Sequence, residues 1–361
     1  MDSRTLLKSF MLAAGPSGYE KEVAGLLQAA LHQTAAEVRI DRAGNVIARY
    51  PGSDASAPTV MIYAHMDQLG FIVRRINADG FLQVDRLGGI PEKVLPGLQV
   101  RILTRTGSVG GVIGSKSHHA ASPEEKNTVD PVTSVLIDIG ASSAAEVRAL
   151  GVAIGCPVIY EPYCRELAGN RISGTALDNR GGLTALVLAA EVVSAQPHAA
   201  TVYLVGTVWE EFNLRGAMLA ARTCRPDVAI GLDVVLAGDT PDLANRYETC
   251  LGGGPAVSLY SFHGRGTLNG TIPHAGLVDL AEQVATDAQQ SLQRFASVGL
   301  LTDSAYLQLE GPGVASIELG FPARYTHTPV EVADINDIEG LGRLAGDMAL
   351  RIDGTFNLNR Y

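Results

Sequence analysis

The chain has 361 residues, of which 46% are hydrophobic and 18% charged, and its formal net charge is -10. This composition excludes a disordered or collagen-like chain despite 40 glycines, and it argues against a nucleic-acid or anionic-membrane partner. The length suits two modest domains or one large domain with an insertion. The start, Met1-Asp2-Ser3-Arg4-Thr5, lacks the basic-then-apolar pattern of a signal peptide. No apolar run is long enough to span a bilayer. Cys156, Cys164, Cys224 and Cys250 form no CxxC pair, so reduced thiols and a cytoplasmic protein are expected.

In chain order, residues 1–15 read as a short helix. Ser17-Gly18-Tyr19-Glu20 has the form of a capping box, opening an amphipathic helix with Val23, Leu26, Leu27, Ala30 and Leu31 on one face. Residues 36–40 and 45–49 alternate like strands around an Ala43-Gly44 turn. Thr59-Val60-Met61-Ile62-Tyr63 is a continuous apolar strand of the buried type, leading into Ala64-His65-Met66-Asp67. From about Gly70 to Pro162 the pattern changes to short strands separated by Gly, Pro and Asn-Ala-Asp-Gly turns, which predicts a small β-barrel or sandwich inserted in an α/β protein. Only Ser143–Leu150 reads as helical there, and His118 and His119 read as exposed loop residues.

The α/β pattern returns with Ser173–Arg180 and a long apolar helix from Gly182 through Val193. The apolar strand 201–205 then leads to Trp209-Glu210-Glu211-Phe212, with a helix expected from Leu214. Val228–Asp233 reads as an apolar strand ending in an acid. Pro255–Leu259 and Val314–Leu319 read as strands, 275–295 as a helix, 322–329 as a loop and Ile335–Ile352 as the closing helix. The fold class expected is a mixed-sheet, three-layer α/β domain carrying a β-barrel-like insertion.

Asp178, Glu210, Glu211 and Asp233 each end or follow an apolar segment of this core, where ligands gather in α/β sheets. His65 ends a fourth segment, and His327 lies in a late loop. Taken singly they have ordinary readings: Asp178 as a helix N-cap, His65 beside Asp67 as a surface pair. Together they form an oxygen-and-imidazole set of the kind that binds zinc, cobalt or manganese. In extended chain His65 and Asp67 point the same way, which suits an imidazole with a carboxylate on its other nitrogen. Two adjacent glutamates can divide labour, one holding metal and one moving protons.

With these motifs in hand, the chain resembles the tetrahedral and glutamyl aminopeptidases, two-metal exopeptidases with an inserted dimerisation domain. The resemblance runs from Ser17-Gly18-Tyr19-Glu20 to His327-Thr328-Pro329. It is carried by Ala64-His65-Met66-Asp67, Ala176-Leu177-Asp178, Glu210-Glu211 with Leu214-Arg215-Gly216-Ala217, Leu232-Asp233 with Ala237–Pro241, and Arg324–Pro329. It implies two divalent ions per subunit, zinc or cobalt with manganese as a further option. His65 and Asp233 would hold one ion, Glu211 and His327 the other, and Asp178 would bridge them. Glu210 would be the general base that takes the proton of a metal-bridging water to leave hydroxide, and Asp67 would orient His65.

The resemblance also implies a discontinuous catalytic domain, 1–67 and 164–361, and an inserted dimerisation domain, 68–163. The expected substrates are short peptides trimmed at the N-terminus, and the expected assembly is a homo-oligomer of dimers, up to a tetrahedral dodecamer. Gln68, Asn179, Trp209 and Phe212-Asn213 depart from the family pattern beside the site. Thr302-Asp303 resembles a family segment near the substrate pocket, although Asp303 reads equally well as an exposed loop acid. Two other readings stay open from the residues: a different two-metal hydrolase, such as a deacylase or carboxypeptidase, or a decayed assembly protein.

Overall fold

The computed structural model describes residues 2–35, 37–263 and 270–360. A large mixed sheet runs in the order Glu37–Ile40, Val46–Tyr50, Val202–Thr207, Val60–His65, Val228–Leu236, Ala315–Arg324, Glu331–Asp334, Arg171–Gly174, Cys164–Glu166. The strand Ala256–Phe262 branches from Ala315–Arg324 and pairs in turn with Gln293–Val298. Val60–His65 lies between two parallel neighbours, Val202–Thr207 and Val228–Leu236, and every one of its residues is buried. This is why it reads as an unbroken apolar run rather than an alternating one.

Helices cover both faces. Ser3–Leu12, Lys21–Leu31, Leu177–Ser194, Ala275–Asp287 and Ile335–Leu350 pack with the sheet into one apolar core. Gly216–Cys224 and Ser304–Leu307 close the opposite face over Met61, Tyr63 and Val205. Ile335–Leu350 approaches Leu177–Ser194 closely because Gly342 and Gly346 face it. A Cβ at Gly342 would lie 2.6 Å from the Ala185 carbonyl, and one at Gly346 2.7 Å from the Val192 Cβ. Any side chain at either position would push the two helices apart.

A second unit is a closed barrel of six strands, in the order Gly70–Ile76, Leu82–Leu87, Leu136–Asp138, Ser108–Ile113, Gln99–Leu103, Pro157–Tyr160. Phe71, Val84, Ile102, Ile137 and Val158 fill it. The expected class, a mixed α/β sheet with a small β-barrel, is the one observed.

Several local expectations are corrected. The capping box does not form: Glu20 occupies the N-cap position without a side-chain cap bond, and its carboxylate instead accepts from the Gly18 N–H at 2.8 Å. Ser17 lies ahead of the helix, which starts at Lys21, and its hydroxyl donates to Asp67 at 2.5 Å. The helix expected over 275–295 ends at Asp287. Gln293–Val298 is a parallel strand against Ala256–Phe262, after Gln289 turns the chain at φ 52. Asp233 does not end its strand: Val228–Leu236 runs three residues further, paired with Ala315–Arg324, which absorbs Pro322-Ala323-Arg324 from the expected loop. The helix expected from Leu214 begins at Gly216, since Asn213 and Leu214 take positive φ.

Candidate active site and metal-binding cluster

The parallel register builds the site. Gly231 pairs with Tyr63, so two residues onward Asp233 and His65 stand level on the same face of adjacent strands. His65 pairs with Thr207, which delivers Glu210 and Glu211 to the same edge three and four residues later. Asp178 enters from the first turn of Leu177–Ser194, where the backbone at Asp178 and Asn179 is not yet helical. The helix is tied there by Asn179, whose Nδ2 donates to the Leu232 carbonyl at 2.8 Å and whose Oδ1 accepts from the Gly182 N–H at 2.9 Å. His327 comes from the turn between Ala315–Arg324 and Glu331–Asp334, at φ 66.

These side chains meet around one cavity of about 240 Å³, lined by His65, Asp178, Glu210, Glu211, Asp233 and His327 together with Gly89, His263 and Leu300–Thr302. His65 Nε2 lies 3.1 Å from Asp178 Oδ1, 3.7 Å from Asp233 Oδ1 and 3.9 Å from Glu210 Oε2. His327 Nε2 lies 3.6 Å from Asp178 Oδ2 and 3.9 Å from Glu211 Oε1. Two donor sets result, His65/Asp178/Asp233 and Asp178/Glu211/His327, each with one atom per residue within 4.8 Å of the others. Asp178 belongs to both, offering one oxygen to each histidine.

Asp67 is more than a neighbour of His65. His65 Nδ1 meets the Asp67 main-chain carbonyl at 3.1 Å, and the carboxylate lies farther off at 3.5 Å. That carboxylate instead accepts the Glu210 and Glu211 N–H groups, each at 3.0 Å, and so fixes the turn that carries both glutamates. The strand itself stops at His65, yet the Asp67 carboxylate still lies on the Nδ1 side of the ring, as the sequence leads one to expect.

The departures beside the site also have partners. Gln68 Oε1 accepts from the Gly15 N–H at 3.1 Å and from Arg180 Nη2 at 3.0 Å. Arg180 is fully buried and also donates to the carbonyls of Phe10 and Met66. Burial pulls its guanidinium down to about 10.

The electrostatics are those of crowded, buried acids. Burial, with added repulsion from Glu211 and Asp233, holds the Glu210 carboxyl well above its usual range. Burial and Asp178 do the same for Asp233. Burial pushes Glu211 up to about 7, opposed in part by His327. At His327 burial works the other way, but Glu211 and Asp178 prevail and raise it to about 9. Among the described residues no Lys or Arg lines the cavity. Glu211 Oε1 is buried without a hydrogen-bond partner while facing His327. Clustered carboxylates with an orphaned oxygen, flanked by two imidazoles, fit divalent metal ions: the donor chemistry matches, and so does the unbalanced negative charge.

Glu331 was not apparent from the sequence. It is buried, accepts the Asp178 N–H at 3.1 Å on one oxygen and the His327 N–H at 2.8 Å on the other, and so ties the shared carboxylate to the late histidine. The only signal was an acid four residues after His327 on a short strand. Glu331→Gln would place an amide N–H against a backbone N–H. We expect it to destabilise the metal-free protein by roughly 1–3 kcal/mol, read as a lower urea midpoint at unchanged slope. Asp303 is not an exposed loop acid: it is 3% exposed, accepts from Thr207 Oγ1 at 2.9 Å, and lines a small cavity behind His65 and Asp233.

Residues 44–344 match the model of the M42 glutamyl aminopeptidase family. The chain belongs to that family. The family assignment is supported by a lysyl aminopeptidase of Pyrococcus furiosus, 34% identical over 94% of this chain and 94% of that protein. The aminopeptidase APDkam598 of Desulfurococcus kamchatkensis superposes with a TM-score of 0.91 at 33% identity, covering 98% of this chain and 95% of that one. The Pyrococcus horikoshii TET1 peptidase, PhTET1, solved as a dodecamer, superposes with a TM-score of 0.85 at 27% identity, covering 98% of this chain and all of that one. Among the described residues no helix is long and apolar enough to cross a membrane.

Proposed function

We propose that the chain is a metal-dependent aminopeptidase that removes N-terminal residues from short peptides. The observation that carries this reading is the pair of donor sets sharing Asp178, with Glu210 beside them and outside both. His65 and Asp233 would hold one divalent ion, Glu211 and His327 the other, with Asp178 between them. When bound, the ions would neutralise the carboxylates and polarise the scissile carbonyl as Lewis acids. Glu210 would take a proton from the attacking water and deliver it to the leaving amine. Burial, which disfavours the carboxylate, raises its proton affinity. Asp67 would orient His65, and its carboxylate would hold Glu210 in place by accepting the Glu210 N–H.

Zinc, cobalt and manganese all suit the donor set. The barrel is the proposed dimerisation unit within an inserted domain of residues 68–163. The exposed Ile154 (70%) and Val112 (47%) of that inserted domain would be covered by a second copy. A cytoplasmic location follows from the same reading, with four unpaired cysteines in support.

The test is turnover by metal-stripped protein on aminoacyl anilides, N-acylated analogues and short peptides, with each metal added back. Cleavage of free-amine substrates only, restored by metal, supports the proposal. Preference for N-acylated or C-terminal substrates would turn it into a deacylase or carboxypeptidase.

A further inference from the structure

The barrel contributes a piece of the site's wall. Its strand Leu82–Leu87 leads into Gly88-Gly89, and Gly89 lines the cavity of the candidate site. The Gly89 carbonyl lies 2.8 Å from His327 Nδ1, which can reach it only as a donor. Gly88 takes φ +97, and a Cβ there would lie 2.2 Å from Leu69 Cδ2 and 3.4 Å from Glu211 Oε2. A Cβ on Gly89 would lie 3.0 Å from His327 Nδ1 and 3.2 Å from Cε1. The turn is closed by the Ile90 N–H on the Gly88 carbonyl at 3.1 Å, and Arg86 donates to the Ile90 carbonyl. Only a glycine pair lets main chain come this close to the ring and to Glu211.

We infer that the Gly88-Gly89 turn is a positioning element for His327, by which the barrel orients a metal-binding imidazole of the other unit. Glu331 holds the His327 main chain; the turn holds its ring. A carbonyl on Nδ1 selects the tautomer that carries its proton there. The Nε2 lone pair is then left facing Asp178 and Glu211. The inference rests on the reading of His327 as a ligand of the second ion. It gives the barrel a part in the site itself, separate from any part in assembly.

Substitution of Gly89 tests this. Gly89→Ala adds one methyl group against the imidazole. Gly107→Ala, in the same barrel with no atom within 4 Å of the added carbon, is the control for the fold. Metal-stripped proteins are titrated with cobalt(II), followed by calorimetry and by the visible absorption that reports cobalt coordination. His327→Ala should bind one ion fewer than the natural chain. Gly89→Ala should keep the tighter step and weaken the other about 10–100-fold, with an altered spectrum for that ion, while Gly107→Ala matches the natural chain. If His327→Ala still binds both ions, the ligand reading fails, and this inference with it. If His327→Ala loses one ion but Gly89→Ala retains both steps unchanged, or weakens both equally, the positioning role alone is overturned.

Discussion

Glu210→Gln is expected to lower kcat by about two orders of magnitude or more while leaving bound metal unchanged. A general base contributes about 10²–10⁴-fold when it is well placed. Glu210 reaches His65 at 3.9 Å but belongs to neither donor set, so an amide in its place removes proton transfer without removing a ligand. Its main chain stays held, because the Glu210 N–H still has Asp67 Oδ1 at 3.0 Å. The measurements are kcat on an aminoacyl substrate and metal content of the same preparation. Full turnover with full metal would remove Glu210 from the mechanism. Low turnover with lost metal would make it a ligand instead.

Asp178→Asn should have the larger effect on metal. Asp178 is the one residue common to both sets, with Oδ1 3.1 Å from His65 and Oδ2 3.6 Å from His327. An amide there offers one oxygen, presents an N–H toward an imidazole, and removes the negative charge that both ions would share. Both binding steps should weaken, by at least the roughly 10–100-fold typical of losing a group that merely supports a ligand, and activity should fall with them. Asp233→Asn, by contrast, should weaken one step and spare the other. Selective loss of a single ion in Asp178→Asn would contradict its bridging position.

The residues that meet at the cavity were legible because chemistry at strand ends leaves a mark in the sequence. An apolar run followed by His65, by Glu210-Glu211, or by a stretch containing Asp233 is hard to mistake in a buried parallel sheet. What held those residues was less legible. Glu331 and the Gly89 carbonyl act through backbone groups, and a backbone partner has no side-chain signature. The sequence shows Asp67 as a carboxylate for His65, but at 3.0 Å it also accepts two N–H groups 143 and 144 residues away, a pairing only the fold reveals. The helical reading of 275–295 failed at Gln289 because neither Gly nor Pro marks the break, while the pairing that makes Gln293–Val298 a strand lies in Ala256–Phe262. Ser17 is not at the cap because the helix starts only at Lys21, and its hydroxyl goes to Asp67, a partner 50 residues away that local pattern does not show. Short-range periodicity therefore located the elements, and long-range partners decided their edges.

The two-ion site is tested most directly by anomalous diffraction from crystals of the metal-reconstituted protein, collected at the absorption edge of the added metal. Two peaks are expected, one among His65, Asp178 and Asp233 and the other among Asp178, Glu211 and His327, with Glu210 bound to neither. An empty cavity, or metal held at residues outside these sets, would contradict it.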